Sequence, residues 1–144
     1  MIDLPPVWFG LFLAASWAGR GGFPAAVTEP ARWAGLGFAV AGGVLAAWAI
    51  FTILSARTTV HPHGTPSRLV SHGPFALSRN PIYLADLMLL IAGALWWGAV
   101  FGLLLCAVFV PLISRRFIAR EELGLRRLFG RDAQAYMERV RRWV

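Results

Sequence analysis

Two polar clusters interrupt an otherwise apolar sequence, and both contain side chains able to bind a small charged molecule. The first spans residues 71–83 and reads Ser-His-Gly-Pro-Phe-Ala-Leu-Ser-Arg-Asn-Pro-Ile-Tyr. The second is Arg120-Glu121-Glu122, where the last apolar run ends. If the two clusters share one membrane face, they can hold a polar cofactor at the bilayer surface while an apolar partner arrives through the lipid.

The carboxylates of Glu121 and Glu122 are adjacent in sequence, so on a helix they point about 100° apart. We therefore expect one to face the helix bundle and the other to face water. An inward carboxylate can accept hydrogen bonds from ribose hydroxyls or from an amino group, or lie beside a cation. The alternative is a solvated acidic pair that balances the neighbouring arginines, and spacing alone leaves both interpretations open.

Residues 79–83, Arg-Asn-Pro-Ile-Tyr, open the third apolar run. Pro81 suits the first position of a helix and Asn80 is a good N-cap, which explains both residues structurally. Tyr83 either anchors the helix at the interface or lines a pocket. Upstream, Gly73-Pro74-Phe75 predicts a turn that brings backbone N–H groups close to the helix start.

Four further titratable residues are candidates for chemistry. Asp86 lies one helical turn beyond Tyr83 on the same face, either as a pocket residue or as a helix-packing partner. His61 and His63 have the spacing of a metal pair, but without a third ligand we expect no metal site. His72 can act as a general base or simply bind a phosphate or a backbone group.

Composition indicates a membrane protein. Of the 144 residues, 58% are hydrophobic and only 15% charged, against about a quarter charged in soluble domains. The net charge of +7 comes from arginines that cluster beside apolar runs, as cytoplasmic flanks do, and not over a soluble face, so we do not expect nucleic acid binding. The single cysteine, Cys106, excludes an intrachain disulfide.

We predict an all-α integral membrane fold with one domain over residues 1–144. About four spans are expected, joined by a polar loop and followed by a basic, amphipathic helical segment. The predicted spans are residues 5–19, 33–54, 81–95 and 98–114, the loop is 55–80, and the C-terminal helices cover 115–144. The first run lacks the basic start of a secretory signal, so we expect it to be retained.

Glycine and proline positions predict how these helices pack and end. The second span contains four glycines that would allow close approach of another helix: Gly35, Gly37, Gly42 and Gly43. The stretch from Gly93 to Gly98 predicts the turn between the last two spans. Pro111 predicts a kink in the returning helix, and Gly130 a break within the C-terminal segment.

Arginine distribution predicts the orientation. Residues 55–80 carry three Arg and no acid, residues 115–144 carry nine Arg and four acids, and residues 1–32 are balanced. The loop and the C-terminus are therefore expected in the cytoplasm, in a plasma membrane of the bacterial type. If residues 5–19 do not cross, three spans remain and the N-terminus lies outside, but the two polar clusters still meet.

Taken in order, these motifs resemble the membrane superfamily of isoprenylcysteine carboxyl methyltransferases and phospholipid N-methyltransferases. That pattern has Gly-Pro-Tyr, Arg-His-Pro-x-Tyr or Asn-Pro-x-Tyr, an apolar hairpin, an Arg-Glu-Glu-like pair, Phe-Gly, and a Tyr before a basic, aromatic end. The likeness covers about residues 55–144. The matching positions are Gly73-Pro74-Phe75 (with Phe in place of Tyr), residues 79–83, Arg120-Glu121-Glu122, Phe129-Gly130, Tyr136 and Arg142-Trp143.

The resemblance implies an S-adenosylmethionine-dependent methyltransferase that acts on a lipid or small apolar acceptor at the cytoplasmic face. It implies a cofactor site lined by Asn80, Pro81 and Tyr83 and contacted by Glu121 or Glu122, and Asn80 tilts the likeness toward the phospholipid branch. The acceptor atom, oxygen, nitrogen or sulfur, stays open. The candidate cofactor-binding residues are Gly73, Pro74, Asn80, Pro81, Tyr83, Glu121 and Glu122, and the candidate catalytic residues are His72, Asp86 and Arg79.

Two other classes of function are compatible with the sequence. One is a non-catalytic four-helix subunit of a membrane assembly, which would bind no cofactor and would co-purify with another chain. The other is a redox protein that binds haem through its loop histidines and would show a visible absorption band. The sequence does not determine the oligomeric state.

Overall fold

The computed structural model describes residues 4–22, 28–57 and 67–144, and within them every regular element is helical. The prediction of an all-α fold is therefore confirmed. Short 3₁₀ turns at Gly19–Gly21 and Gly73–Ala76 and a π-helical turn at Ser114–Ile118 connect or extend the main helices. The main helices are α1 (Pro5–Ala18), α2 (Glu29–Ser55), α3 (Pro81–Trp97), α4 (Val100–Ile113) and α5 (Ala119–Arg139).

Two of the described helical runs are long and apolar enough to cross a bilayer: Glu29–Ser55 and Val100–Arg139, whose apolar part is α4. In the most apolar 18-residue stretch of each run, only 22% and 33% respectively is buried inside the molecule. Most of these side chains therefore face outward, as lipid-exposed side chains do. Helices α1 and α3 have 14 and 17 residues, fewer than the roughly 20 of a typical span. The predicted count of four spans therefore stays a prediction.

Close packing of α2 against α3 depends on two of the four predicted glycines. A Cβ at Gly35 would lie 3.2 Å from the carbonyl oxygen of Ala92, and one at Gly42 would lie 3.1 Å from that of Ala85. These glycines are seven residues apart, two helical turns, and share one face. A Cβ at Gly37 or Gly43 would meet nothing within 4 Å among the described residues, because these glycines lie on other sides of the helix, so close approach of a helix at these two positions stays a prediction.

The turn between α3 and α4 is shorter than predicted. Gly93 lies inside α3, which continues through Trp97, and the chain reverses at Gly98 with φ 64° and ψ 30°. Gly98 adopts the left-handed conformation that ends helices. Gly93 instead leaves room for its neighbours, since a Cβ there would lie 3.0 Å from the Trp97 ring.

Helix α1 packs against α3 and α4 in the apolar core. Phe12 meets Phe109 edge to face, with ring centroids 5.4 Å apart and an interplanar angle of 70°. Both belong to a buried cluster with Leu90, Cys106 and Ile113. Ser16, on the same helix, is buried against Gly102 of α4.

Helix α4 leads into α5 without a loop. Pro111 lies inside α4, and the departure from α-helical geometry comes just after it, in the π turn. Further on, Gly130 has non-helical angles, φ 49° and ψ −117°, which confirms the predicted break. After Arg139 the chain is extended, and this C-terminal segment, residues 140–144, returns to the start of α3.

Candidate functional site

The start of α3 is held by the C-terminal segment and not by a side-chain cap. Pro81 occupies the first helical turn, as predicted, and Asn80 is the N-cap residue but makes no capping hydrogen bond. The prediction that Asn80 caps through its side chain is therefore wrong. Its Nδ2 donates instead to the carbonyl oxygen of Arg142 at 3.0 Å, and the Ser78 hydroxyl donates to the same oxygen at 3.0 Å. The Arg79 N–H donates to the carbonyl of Arg141 at 2.9 Å.

Tyr83 joins the two polar clusters that the sequence separates by almost forty residues. Its hydroxyl donates to Oε1 of Glu121 over 2.6 Å. The tyrosine is only 8% exposed, which shields this phenol–carboxylate hydrogen bond from water and strengthens it. The first turn of α3 and the first turn of α5 thus meet at one rim of the helix bundle.

Glu122 lies at the centre of an ion network. Its Oε1 is 3.0 Å from a terminal nitrogen of Arg79, while Nε and Nη2 of Arg142 donate to Oε1 and Oε2 at 2.9 and 2.6 Å. The residue is 8% exposed. Burial alone would raise its pKa, but the hydrogen bonds from Arg142 and the charges of Arg79, Arg142 and Arg126 hold the pKa of this carboxyl below its ordinary value.

The expectation that one carboxylate of the acidic pair faces water is therefore wrong. Glu121 reaches Tyr83 and Glu122 reaches two arginines, so both point toward the start of α3. A solvated acidic pair is excluded for the same reason. Arg79 and Arg142 supply the counter-charges that allow the Glu122 carboxylate to leave water, and the Tyr83 hydroxyl supplies a partner for Glu121.

The turn at Gly73–Ala76 packs the polar loop against the end of α2. Gly73 has φ 60°, and a Cβ there would lie 3.3 Å from the Thr52 hydroxyl oxygen, while Pro74 is fully buried. The Tyr136 hydroxyl donates to the carbonyl of Phe75 at 2.8 Å. Burial raises the pKa of Tyr136 to about 12, against the lowering effect of Arg79 and Arg139. Gly73 and Pro74 thus have a structural explanation as well as a candidate binding role.

The predicted catalytic residues lie at different depths. Arg79 forms an ion pair with Glu122. His72 is exposed at the edge of the loop turn, and Asp86 is half-buried one turn beyond Tyr83. His61 and His63 lie outside the described residues. Among the candidate bases, Asp86 is thus one turn from the Tyr83–Glu121 contact, and His72 lies at the rim.

Sequence reasoning missed two residues of the site, Ser78 and Arg142. The Arg142-Trp143 pair was recognised as part of a motif, but nothing in its spacing indicated a buried carboxylate as partner. Trp143 fixes the same segment through a 3.0 Å hydrogen bond from its indole N–H to the Ser114 hydroxyl. A signal was present in Ser78, a small polar residue three positions before a helix that starts with proline, where side chains often bond to backbone groups.

Comparison with known proteins identifies the family of this chain. The sequence profile of the phospholipid methyltransferase family matches residues 30–132, from the start of α2 into the second half of α5. An uncharacterized protein of Haemophilus influenzae is 38% identical over 63 residues, which are 44% of this chain and 100% of that protein. No solved structure matches. The profile match includes both polar clusters and confirms the resemblance predicted from the motifs.

Proposed function

We propose that this chain, which belongs to the phospholipid methyltransferase family, transfers the methyl group of S-adenosylmethionine to a lipid or small apolar acceptor at the cytoplasmic rim of the bundle. Membership of the family implies methyltransferase chemistry in a membrane. The observation that supports the location of the site is the 2.6 Å hydrogen bond between Tyr83 and Glu121, because it unites the two polar clusters.

The donor set at this rim fits S-adenosylmethionine. The cofactor carries a sulfonium and an ammonium, which favour carboxylate and phenol oxygens, and a carboxylate, which favours a guanidinium. Glu121 and Tyr83 supply the first kind of group. Arg79 supplies the second, because one terminal nitrogen pairs with Glu122 while its buried Nε has no hydrogen-bond partner among the described residues. Glu122 has both oxygens engaged by arginines, so we assign it to positioning. We assign Glu121 to cofactor contact because it bonds to the Tyr83 hydroxyl, where the two polar clusters meet.

When bound, S-adenosylmethionine supplies an electrophilic methyl carbon whose bonding electron pair leaves with the sulfur. The protein has to align the acceptor with that carbon and to exclude water. Tyr83 lies in the first turn of α3, so an acceptor that enters between the helices reaches it from the apolar side. The ion network holds α3, α5 and the C-terminal segment in one arrangement around that point.

Removal of the acceptor's proton depends on the acceptor atom. A carboxylate acceptor needs no base, whereas an amine or thiol has to lose a proton. Asp86 serves this role for an acceptor held within the helices, and His72 for one held at the rim. Asp86 lies one helical turn from Tyr83, and His72 is exposed.

The test is methyl transfer in membranes that contain the full chain. Incubation with S-adenosylmethionine labelled in the methyl group should place label in a lipid or apolar fraction, and Glu121→Gln should abolish it. The matched control is Glu138→Gln, an exposed glutamate on the same helix that bonds to Gln134. Absence of labelled product in the wild-type membranes, or full labelling in Glu121→Gln, would contradict the proposal.

A further inference from the structure

One face of the continuous helix from α4 into α5 is exposed from Leu104 to Arg127. Leu104, Val108 and Leu123 are 61%, 51% and 55% exposed. The spacing follows helical turns of three or four residues except for one step of five, which crosses the π turn. The wider turn therefore keeps the exposed face continuous. Its members are Leu104, Val108, Pro111, Arg115, Arg120, Leu123 and Arg127.

The chemistry of this face changes at the π turn. Its α4 part is apolar, and from Arg115 onward it carries arginines and no acid. The nearest acids, Glu121 and Glu122, point the other way, toward Tyr83 and the ion network. No carboxylate of the described residues forms an ion pair with Arg115 or Arg120. The exposed face is therefore apolar along α4, as a lipid-facing surface is, and becomes cationic directly after it.

Two contacts show where along the helix bundle this change from apolar to cationic residues lies. Glu121 bonds to Tyr83 in the first turn of α3, and the Arg116 guanidinium stacks over the Trp8 ring in the first turn of α1, 5.2 Å from its centroid. Helices α1 and α3 therefore both begin at the level of Arg115–Arg120. Since tryptophan favours the membrane interface, this rim corresponds to the headgroup layer.

We propose that Arg115 and Arg120 bind the headgroups of anionic phospholipids at this rim. Guanidinium groups match phosphate oxygens geometrically, and the apolar face formed by Leu104, Val108 and Pro111 accommodates the acyl chains of the same lipids. An anionic headgroup supplies the negative charge that this side of the helix lacks. The surface is distinct from the proposed cofactor site, which lies on the opposite side of α5.

Native mass spectrometry of the full chain tests this proposal. The protein is released from bilayers of equal amounts of phosphatidylglycerol and phosphatidylcholine, and the retained lipids are counted. We expect enrichment of phosphatidylglycerol, falling about fivefold for each arginine removed in Arg115→Gln and Arg120→Gln. The double Arg→Lys variant should keep most of the enrichment, because it keeps the charge.

The matched control removes two arginines from the opposite rim, Arg20 and Arg32, which lie near the end of α1 and the start of α2. That variant has the same net charge as the double glutamine variant and should retain the wild-type enrichment. Equal retention of both lipids by the wild type would overturn the proposal. So would equal losses in the two double variants, since that result would indicate a net-charge effect alone.

Discussion

Replacement of Glu122 by glutamine should destabilise the fold, because this carboxylate ties three parts of the chain together. It accepts two hydrogen bonds from Arg142, at 2.9 and 2.6 Å, and lies 3.0 Å from Arg79. The amide keeps one acceptor oxygen but loses the charge. Arg79, with a side chain only 15% exposed, then becomes a buried cation without its counter-charge.

The magnitude follows from burial. Removing one member of a buried ion pair costs about 3–5 kcal/mol. The Arg142 side chain is 42% exposed, so solvent screens its part of the network, and the amide oxygen retains some hydrogen bonding. We therefore expect a loss of about 2–3 kcal/mol, equivalent to a fall in melting temperature of about 5–10 °C.

Thermal unfolding of the purified chain in one detergent, followed by circular dichroism, measures this effect. Glu138→Gln on the exposed side of α5 is the control and should change stability by less than about 0.5 kcal/mol. The double variant Glu122→Gln/Arg142→Gln should be less destabilised than the sum of the single variants, because both remove the same contacts. If Glu122→Gln has the same melting temperature as Glu138→Gln, the ion network does not stabilise the packing of the C-terminal segment, and the reasoning is refuted.

Three other predictions concern the site, the ion network and the helix interface. Tyr83→Phe removes the hydroxyl that holds Glu121 and should weaken S-adenosylmethionine binding about tenfold, measured by titration calorimetry. The contribution of Glu122 to stability should be complete above the ordinary carboxyl pKa of 4.5 and be lost as the pH falls through the lower folded-state pKa. Melting curves between neutral and acid pH should show that loss in the wild type and not in Glu122→Gln. Gly42→Leu should destabilise by about 1–3 kcal/mol because the carbonyl of Ala85 lies 3.1 Å from the new Cβ, whereas Gly43→Leu, in open space, should have little effect in the same melts.

The helices could be predicted from the sequence because their boundaries depend on local chemistry. Apolar length, Pro81 at a helix start and Gly130 at a break each act within a turn or two of the chain. The turn after α3 was predicted less well, because both Gly93 and Gly98 permit a reversal. Packing decides between them, since the Trp97 ring fills the space beside Gly93.

The site was predictable only in part, for a physical reason. The motif order indicated that Tyr83 and the acidic pair belong together, but it did not show which carboxylate meets the tyrosine. That choice depends on the π turn, which sets the rotation of α5, and on Arg142, whose guanidinium engages Glu122. The backbone carbonyl of Arg142 accepts hydrogen bonds from Ser78 and Asn80. The sequence gives no signal for this role, because every residue has a carbonyl.

A double-mutant cycle on S-adenosylmethionine affinity tests most directly whether α3 and α5 together form one cofactor site. The purified full chain is titrated as wild type, Tyr83→Phe, Glu121→Gln and the double variant. If the two residues act as one unit, each single variant binds about tenfold or more weakly and the double variant binds no more weakly than the worse single one. Wild-type affinity in the single variants, or losses that simply add in the double variant, would contradict a shared site.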